Sequence, residues 1–360
     1  MNIPPFHIPF PSRISSDAAA SQERSIAWAR RSGLITSTAD EERYRSWDLA
    51  DLMARWIPEA EGHGLDITVN AVVIATILDD QFDGPLGYAP DAVAQSVSAF
   101  LDVLDPHATT GPRGPLDAAF TEIWGHLCAG KTSAWKERCA EHWRWYLNAY
   151  TEEAAIRSSR ARLGVEEYLL LRYRTGLVPA MTDMIESACG FETSNRSWEL
   201  PIFRRMLRLA CDIIGVLNDV FSLQKEEERG DVHNFVMVLQ HARQCTREEA
   251  MVSTCGLIHS WCDEFIRNEF DLWQECADRL TAAETGALRR LVSGMRDYMG
   301  SFVEWSTLSG RYTDLVPPGA PAYTSLLEPG LASGSSGRAN AMRRSSDSRE
   351  SIPTRHTRAE

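Results

Sequence analysis

From about Ser21 to Ser309 the apolar residues recur at three- and four-residue steps and almost nowhere alternate with polar ones. That period predicts successive helices of roughly 10 to 25 residues and an all-α fold. Between Pro201 and Glu228 the residues Phe203, Met206, Leu207, Ala210, Ile213, Ile214, Leu217 and Phe221 fall on one helical face, and Arg229-Gly230 supplies a stop. A second long amphipathic helix is predicted from Ala282 to Leu308, with Leu288, Leu291, Met295, Tyr298, Phe302 and Trp305 as its stripe. Breakers at Gly84-Pro85, Pro106 to Pro115, Leu163-Gly164 and Glu192 to Ser197 separate the remaining helices. Four prolines among the first 16 residues predict an extended arm rather than a helix there.

Composition changes this picture mainly at the ends. The chain has 360 residues, 44% hydrophobic and 24% charged, enough apolar surface for one large core or two smaller ones. From residue 317 onward Gly, Ser, Pro and Arg dominate, so a disordered tail over 317–360 is expected. The 37 Lys and Arg stand against 50 Asp and Glu, a net charge of −13, which disfavours nucleic acid and anionic membrane surfaces as partners. The longest largely apolar run, Ala71 to Leu78, is far short of the ~20 residues that span a bilayer, and no secretion or membrane insertion is expected. The eight cysteines, Cys128, Cys139, Cys189, Cys211, Cys245, Cys255, Cys262 and Cys276, form no CxxC pair and have no histidine at zinc spacing. They read as reduced thiols of a cytoplasmic protein.

Two polar clusters interrupt the apolar pattern. Asp79-Asp80-Gln81-Phe82-Asp83 closes an apolar helix, with Asp79 and Asp83 on one face and Asp80 about 100° round it. Carboxylates at the negative end of a helix repel one another and call for a cation, and Mg2+, which takes oxygen ligands and keeps exchangeable waters, is the natural one. An exposed acidic helix end would look the same. In the second cluster Asn218, Ser222 and Glu226 recur at four-residue steps, offering an amide oxygen, a hydroxyl and a carboxylate over about 12 Å of one face. These could hold one hard cation together, or form the solvated stripe of a half-buried helix. Asp212, one and a half turns earlier, adds another acid to the same region.

Together, DDxxD and N-D-x-x-S-x-x-x-E in this order resemble the class I terpene cyclase family. In that family the two motifs flank one cavity of a helical bundle and bind three Mg2+ ions. Arg172, followed by Thr175 and Gly176, matches the family's diphosphate-sensing arginine with its linker and effector residues. Lys225 and the pair Arg311-Tyr312 match its other diphosphate-binding residues. The likeness to bacterial sesquiterpene cyclases covers about residues 6 to 312, so residues 17–316 are expected to form the cyclase domain.

The resemblance implies a lyase of secondary metabolism that ionises a linear isoprenoid diphosphate with Mg2+ and closes rings through carbocations. Farnesyl diphosphate is the expected substrate, with geranylgeranyl diphosphate the alternative for a diterpene cyclase, and a monomer or homodimer the expected assembly. Metal ions with Arg172, Lys225, Arg311 and Tyr312 would put positive charge and donors where the departing anion develops charge. Trp56, Trp305 and Phe82 are candidate walls for the cation, because aromatic faces stabilise positive charge without attacking it. Ala75 and Thr76 stand where relatives carry aromatic residues, which implies a differently shaped pocket. A second DDxxD, expected of chain-elongating synthases, is absent, and a non-catalytic helical scaffold is the reading of another class.

Overall fold

A computed structural model describes residues 7–313, and within them every regular element is a helix. The helices are α1 (Ala18–Arg31), α2 (Thr38–Trp47), α3 (Leu49–Trp56), α4 (Gly62–Phe82), α5 (Pro90–Val103), α6 (Pro115–Leu127), α7 (Ser133–Ser159) and α8 (Val165–Thr175). They continue with α9 (Val178–Ala188), α10 (Asn195–Glu199), α11 (Pro201–Arg229), α12 (Phe235–Arg243), α13 (Arg247–Arg279), α14 (Ala282–Leu308) and α15 (Gly310–Thr313). The expected tail lies outside the described residues.

The two predicted stripes are the clearest links from sequence to packing. All six named residues of α14 are buried, and Thr281 with Glu284 forms a capping box at its start. On α11 the stripe is buried from Phe203 to Leu217, while Phe221 is half-buried against Tyr312. Pro201 opens α11 and Gly230, at φ 75°, closes it in the left-handed conformation that a glycine adopts without strain.

In α4, by contrast, residues 67 to 78 are buried on every side, so it is a central helix rather than an amphipathic one. It stops at Gly84-Pro85, and a single 3-10 turn over Pro85–Tyr88 folds back over its end. A Cβ on Gly87 would sit 1.8 Å from the Phe82 carbonyl oxygen, so only glycine permits that close approach. In the predicted break at Glu192 to Ser197 the short helix α10 begins, capped by Ser194.

Helix α4 packs on α1, α3, α6 and α9, and α11 packs on α8, α9, α13 and α14. Between the C-terminal ends of α4 and α11 lies a polar cavity walled by α7, α8 and α15. Residues 7–16 carry no helix and run across α14, with Phe10 edge-on to Phe265 and Arg13 paired twice with Asp297. Gly300 makes room for this strap, since a Cβ there would lie 2.3 Å from the Pro11 carbonyl oxygen. All eight cysteines are unpaired, five of them buried and three half-buried. No helix among the described residues is long and apolar enough to cross a membrane.

Candidate active site

The end of α4 meets the need for cations stated by its sequence. Asp79, Asp80 and Asp83 each bring one carboxylate oxygen within 4.8 Å of the others. Arg311 of α15 donates to Asp79 at 3.0 Å and lies 3.7 Å from Asp80, Arg43 of α2 donates to Asp80 at 3.0 Å, and Arg157 of α7 lies 3.8 Å from Asp83. Asp79 and Asp83 line the cavity, as their shared face requires, whereas Asp80 turns towards Arg43. Burial, then the charge of Asp79, raises the Asp83 carboxyl above the usual range, with Lys225 and Arg157 opposing.

On α11, Asn218, Ser222 and Glu226 all line the same cavity. The Asn218 side chain is held at both ends: its Oδ1 accepts from Arg172 and its Nδ2 donates to the Tyr312 hydroxyl at 2.6 Å. Glu226 accepts from Asn234 Nδ2 at 2.8 Å. Burial, with the charge of Asp219 second, pushes the Glu226 carboxyl well above its ordinary value. Asp212 does not join them. It pairs with Arg208 one turn back at 2.8 Å, is not among the cavity-lining residues, and burial raises it to about 6.

Arg172, Thr175, Lys225, Arg311 and Tyr312 also line the cavity. Gly176 caps α8, donating its N–H to the Arg172 carbonyl at 2.9 Å, and Leu177 then takes φ 58° before α9, a left-handed conformation rare for a branched side chain. Two motifs separated by more than 130 residues thus supply oxygen donors to one cavity that four cationic side chains, counting Arg157, also face.

The chain matches the model described as "Terpene synthase family 2, C-terminal metal binding" over residues 70–264. It is 34% identical to pentalenene synthase of Streptomyces exfoliatus over 316 residues, covering 85% of this chain and 92% of that one. The chain belongs to the terpene synthase family. A second relative of this terpene synthase, 32% identical over 85% of the chain and 91% of its own length, is the 7-epi-alpha-eudesmol synthase ((2E,6E)-farnesyl diphosphate cyclizing) of Streptomyces viridochromogenes. Among solved structures, that of a-eudesmol synthase matches with a TM-score of 0.78 at 28% identity, over 85% of this chain and 99% of that one.

The terpene synthase's five expected wall residues are placed less directly. The polar cavity is lined by none of Trp56, Ala75, Thr76, Phe82 and Trp305. Phe82 and Trp305 stand one layer behind it, Phe82 against Tyr150 at 4.6 Å and Trp305 edge-on to Tyr312 at 5.7 Å. Trp305 Nε1 also donates to the Asp48 carbonyl at 2.9 Å. Trp56 stacks on Tyr298, with ring centres 4.4 Å apart. Ala75 and Thr76 are buried in α4 one turn before Asp79, and Tyr146 donates to the Ala75 carbonyl.

Sequence reasoning missed six residues that line the synthase's cavity: Tyr150, Glu153, Arg157, Asp219, Asp231 and His233. The first three recur at steps of three and four along α7, a signal present in the sequence but hidden among that helix's other charged residues. Arg157 ties this face together, donating to the Phe82 carbonyl at 2.9 Å and reaching both Glu153 and Asp231 at 3.3 Å.

Proposed function

We propose that this terpene synthase catalyses the Mg2+-dependent cyclisation of farnesyl diphosphate to a cyclic sesquiterpene, with release of diphosphate, in the cytoplasm. The observation that carries this reading is the convergence of the α4 acids and the α11 stripe on one cavity that Arg172, Lys225, Arg311 and Tyr312 also line. Its donors are carboxylate, amide and hydroxyl oxygens, a set that fits a hard cation and would not select zinc or copper. Asp79, with Asp80 and Asp83 beside it, would hold Mg2+ at one side, and Asn218, Ser222 and Glu226 at the other, three ions in all. When bound, such ions neutralise the charge of the leaving diphosphate.

The side chains supply the rest. Arg172, Lys225 and Arg311 orient the diphosphate and offset the charge that grows on its bridging oxygen, and the Tyr312 hydroxyl donates to it. The hydrocarbon part then extends below the metal motifs against α4, where aromatic and small side chains exclude water and leave the cation no nucleophile. The choice of a C15 chain is supported by the relative whose name specifies (2E,6E)-farnesyl diphosphate. The test is incubation of the purified protein with Mg2+ and geranyl, farnesyl or geranylgeranyl diphosphate, following diphosphate release and analysing volatile products by mass spectrometry. A cyclic C15 product from the farnesyl substrate is expected. A cyclic product from the geranylgeranyl substrate alone would overturn the C15 assignment, and none from any substrate would overturn the whole reading.

A further inference from the structure

We infer that Asp219 is a positioning residue that seats Arg172 towards the cavity, acting through that arginine rather than on metal or substrate. The inference rests on the reading of Arg172 as a diphosphate ligand. Asp219 is 1% exposed and follows Asn218 on α11, so its side chain leaves the metal-facing stripe by about 100° and turns to α8 and α12. Its carboxylate takes Arg172 Nη2 at 2.9 Å on one oxygen. The other oxygen accepts from the Tyr168 hydroxyl at 2.7 Å and from the Phe235 N–H at 3.0 Å. Both oxygens are therefore engaged by protein, and the carboxylate is fixed from two helices at once.

A second feature of α11 completes the seat. One turn before Asp219, Gly215 presents bare backbone to Arg172: a Cβ there would come within 2.9 Å of the Arg172 Cγ, and the Gly215 carbonyl lies 3.5 Å from Nη2. The arginine's aliphatic stem lies on the glycine while its head is drawn towards Asp219 and the Asn218 amide oxygen. Its buried Nε has no hydrogen-bond partner among the described residues. A guanidinium anchored through Nη2 in the wall of a polar cavity is pre-set for an incoming anion. Among the described residues no hydrogen bond joins Thr175 to Arg172, so the arginine's aim is set from α11.

The experiment is calorimetric binding of inorganic diphosphate with Mg2+ to the full-length protein, together with melting temperatures. Arg172→Ala and Asp219→Asn should each weaken diphosphate binding about tenfold, and the double variant should be no weaker than Arg172→Ala by more than about twofold, because both act through one group. Tyr168→Phe, which removes another partner of the same carboxylate, should lower the melting temperature and leave diphosphate affinity unchanged. If Arg172→Ala binds diphosphate as tightly as the parent, the ligand reading of Arg172 fails and the inference with it. If Arg172→Ala is weak but Asp219→Asn binds normally, or costs as much again in the Arg172→Ala background, the inference alone is overturned. Should Asp219→Asn fail to fold, Gly215→Ala displaces Arg172 from the opposite side. The same loss, absorbed by Arg172→Ala, is expected, and unchanged or additive binding refutes the seat.

Discussion

The two motifs that face the cavity are held by different physics. At the end of α4 three carboxylates crowd the negative pole of a helix, and Asp79 remains 44% exposed at its side chain. Arginines from α2, α7 and α15 balance them, each on a different element. On α11 the donors sit on one face of a long amphipathic helix, a single carboxylate among two neutral groups, fixed by hydrogen bonds from Arg172 and Asn234 and by one that Asn218 donates to Tyr312. The first motif is a balance of charges that can exchange partners, and the second is a rail whose spacing the helix itself sets. A divalent ion therefore competes with arginines at α4 and, at α11, with one arginine and with the proton that burial favours on Glu226.

The largest test of this difference is to cut the rail. Asn218→Ala or Glu226→Ala should lower turnover by about 10²- to 10³-fold with the melting temperature nearly unchanged, since loss of a ligand costs several kcal/mol of transition-state stabilisation and no neighbour can replace it. Near-normal diphosphate release at limiting Mg2+ in both variants would show that α11 is not the metal rail.

At α4 the same kind of change should cost less and be graded. Asp79→Asn is expected to slow diphosphate release roughly 10- to 100-fold, and Asp80→Asn and Asp83→Asn less, because the Asp79 side chain is the most open of the three, 44% exposed against 14% and 26%. If Asp79→Asn proves the mildest of the three, the balance centres on another aspartate.

Exchange of partners can be read without turnover. Arg311→Ala removes the cation 3.0 Å from Asp79, so Mn2+ titrated alone should bind several-fold more tightly, while diphosphate with Mg2+ binds less tightly. Equal losses in both titrations would instead mark Arg311 as a general support of the fold.

The rail has its own signature, in pH. A Glu226 carboxyl held above its ordinary value of 4.5 keeps its proton in the metal-free protein beyond the pH where a free glutamate loses it, and a metal must displace that proton. Metal affinity at α11 should accordingly climb as pH rises above 4.5, levelling once Glu226 ionises unaided, with proton uptake by buffer visible in calorimetry. Glu226→Gln should remove the slope, and a slope that survives it assigns the proton elsewhere.

Much of this arrangement is legible in the amino-acid pattern alone. The α11 and α14 stripes follow from period, and both motifs lie where helical spacing puts their side chains on one face. The tertiary partners are not legible in this way. Arg43 reaches Asp80 across 37 residues and Arg157 reaches Asp231 across 74, and nothing in a linear pattern marks which arginine will meet which acid. Asp212 shows the converse: its place near the motif suggests a shared site, yet an i−4 arginine satisfies it locally. Helix α4, apolar on all sides, has no face that its pattern could reveal, so the positions of Ala75 and Thr76 emerge only from packing.

Those two positions give the smallest expected change in rate and the sharpest in product. Ala75 lies one turn before Asp79 and two before Asp83, on the face that the two cavity-lining aspartates share, while Thr76 is turned about 100° away. A ring introduced at 75 therefore points below the metal motif, where the hydrocarbon chain must fold, beside the Tyr146 hydroxyl that meets the Ala75 carbonyl. One introduced at 76 is driven into helix packing. Ala75→Phe should change the product mixture while diphosphate release stays within about fivefold of the parent, because ionisation depends on the polar groups above and ring closure on the wall. Thr76→Phe should cost stability of about 1 to 3 kcal/mol through overpacking, seen as a lower melting temperature. Product analysis, release rate and melting curve on both variants decide the matter: an unaltered mixture from a stable, active Ala75→Phe would mean that the α4 face carrying the aspartates turns away from the substrate one turn below them.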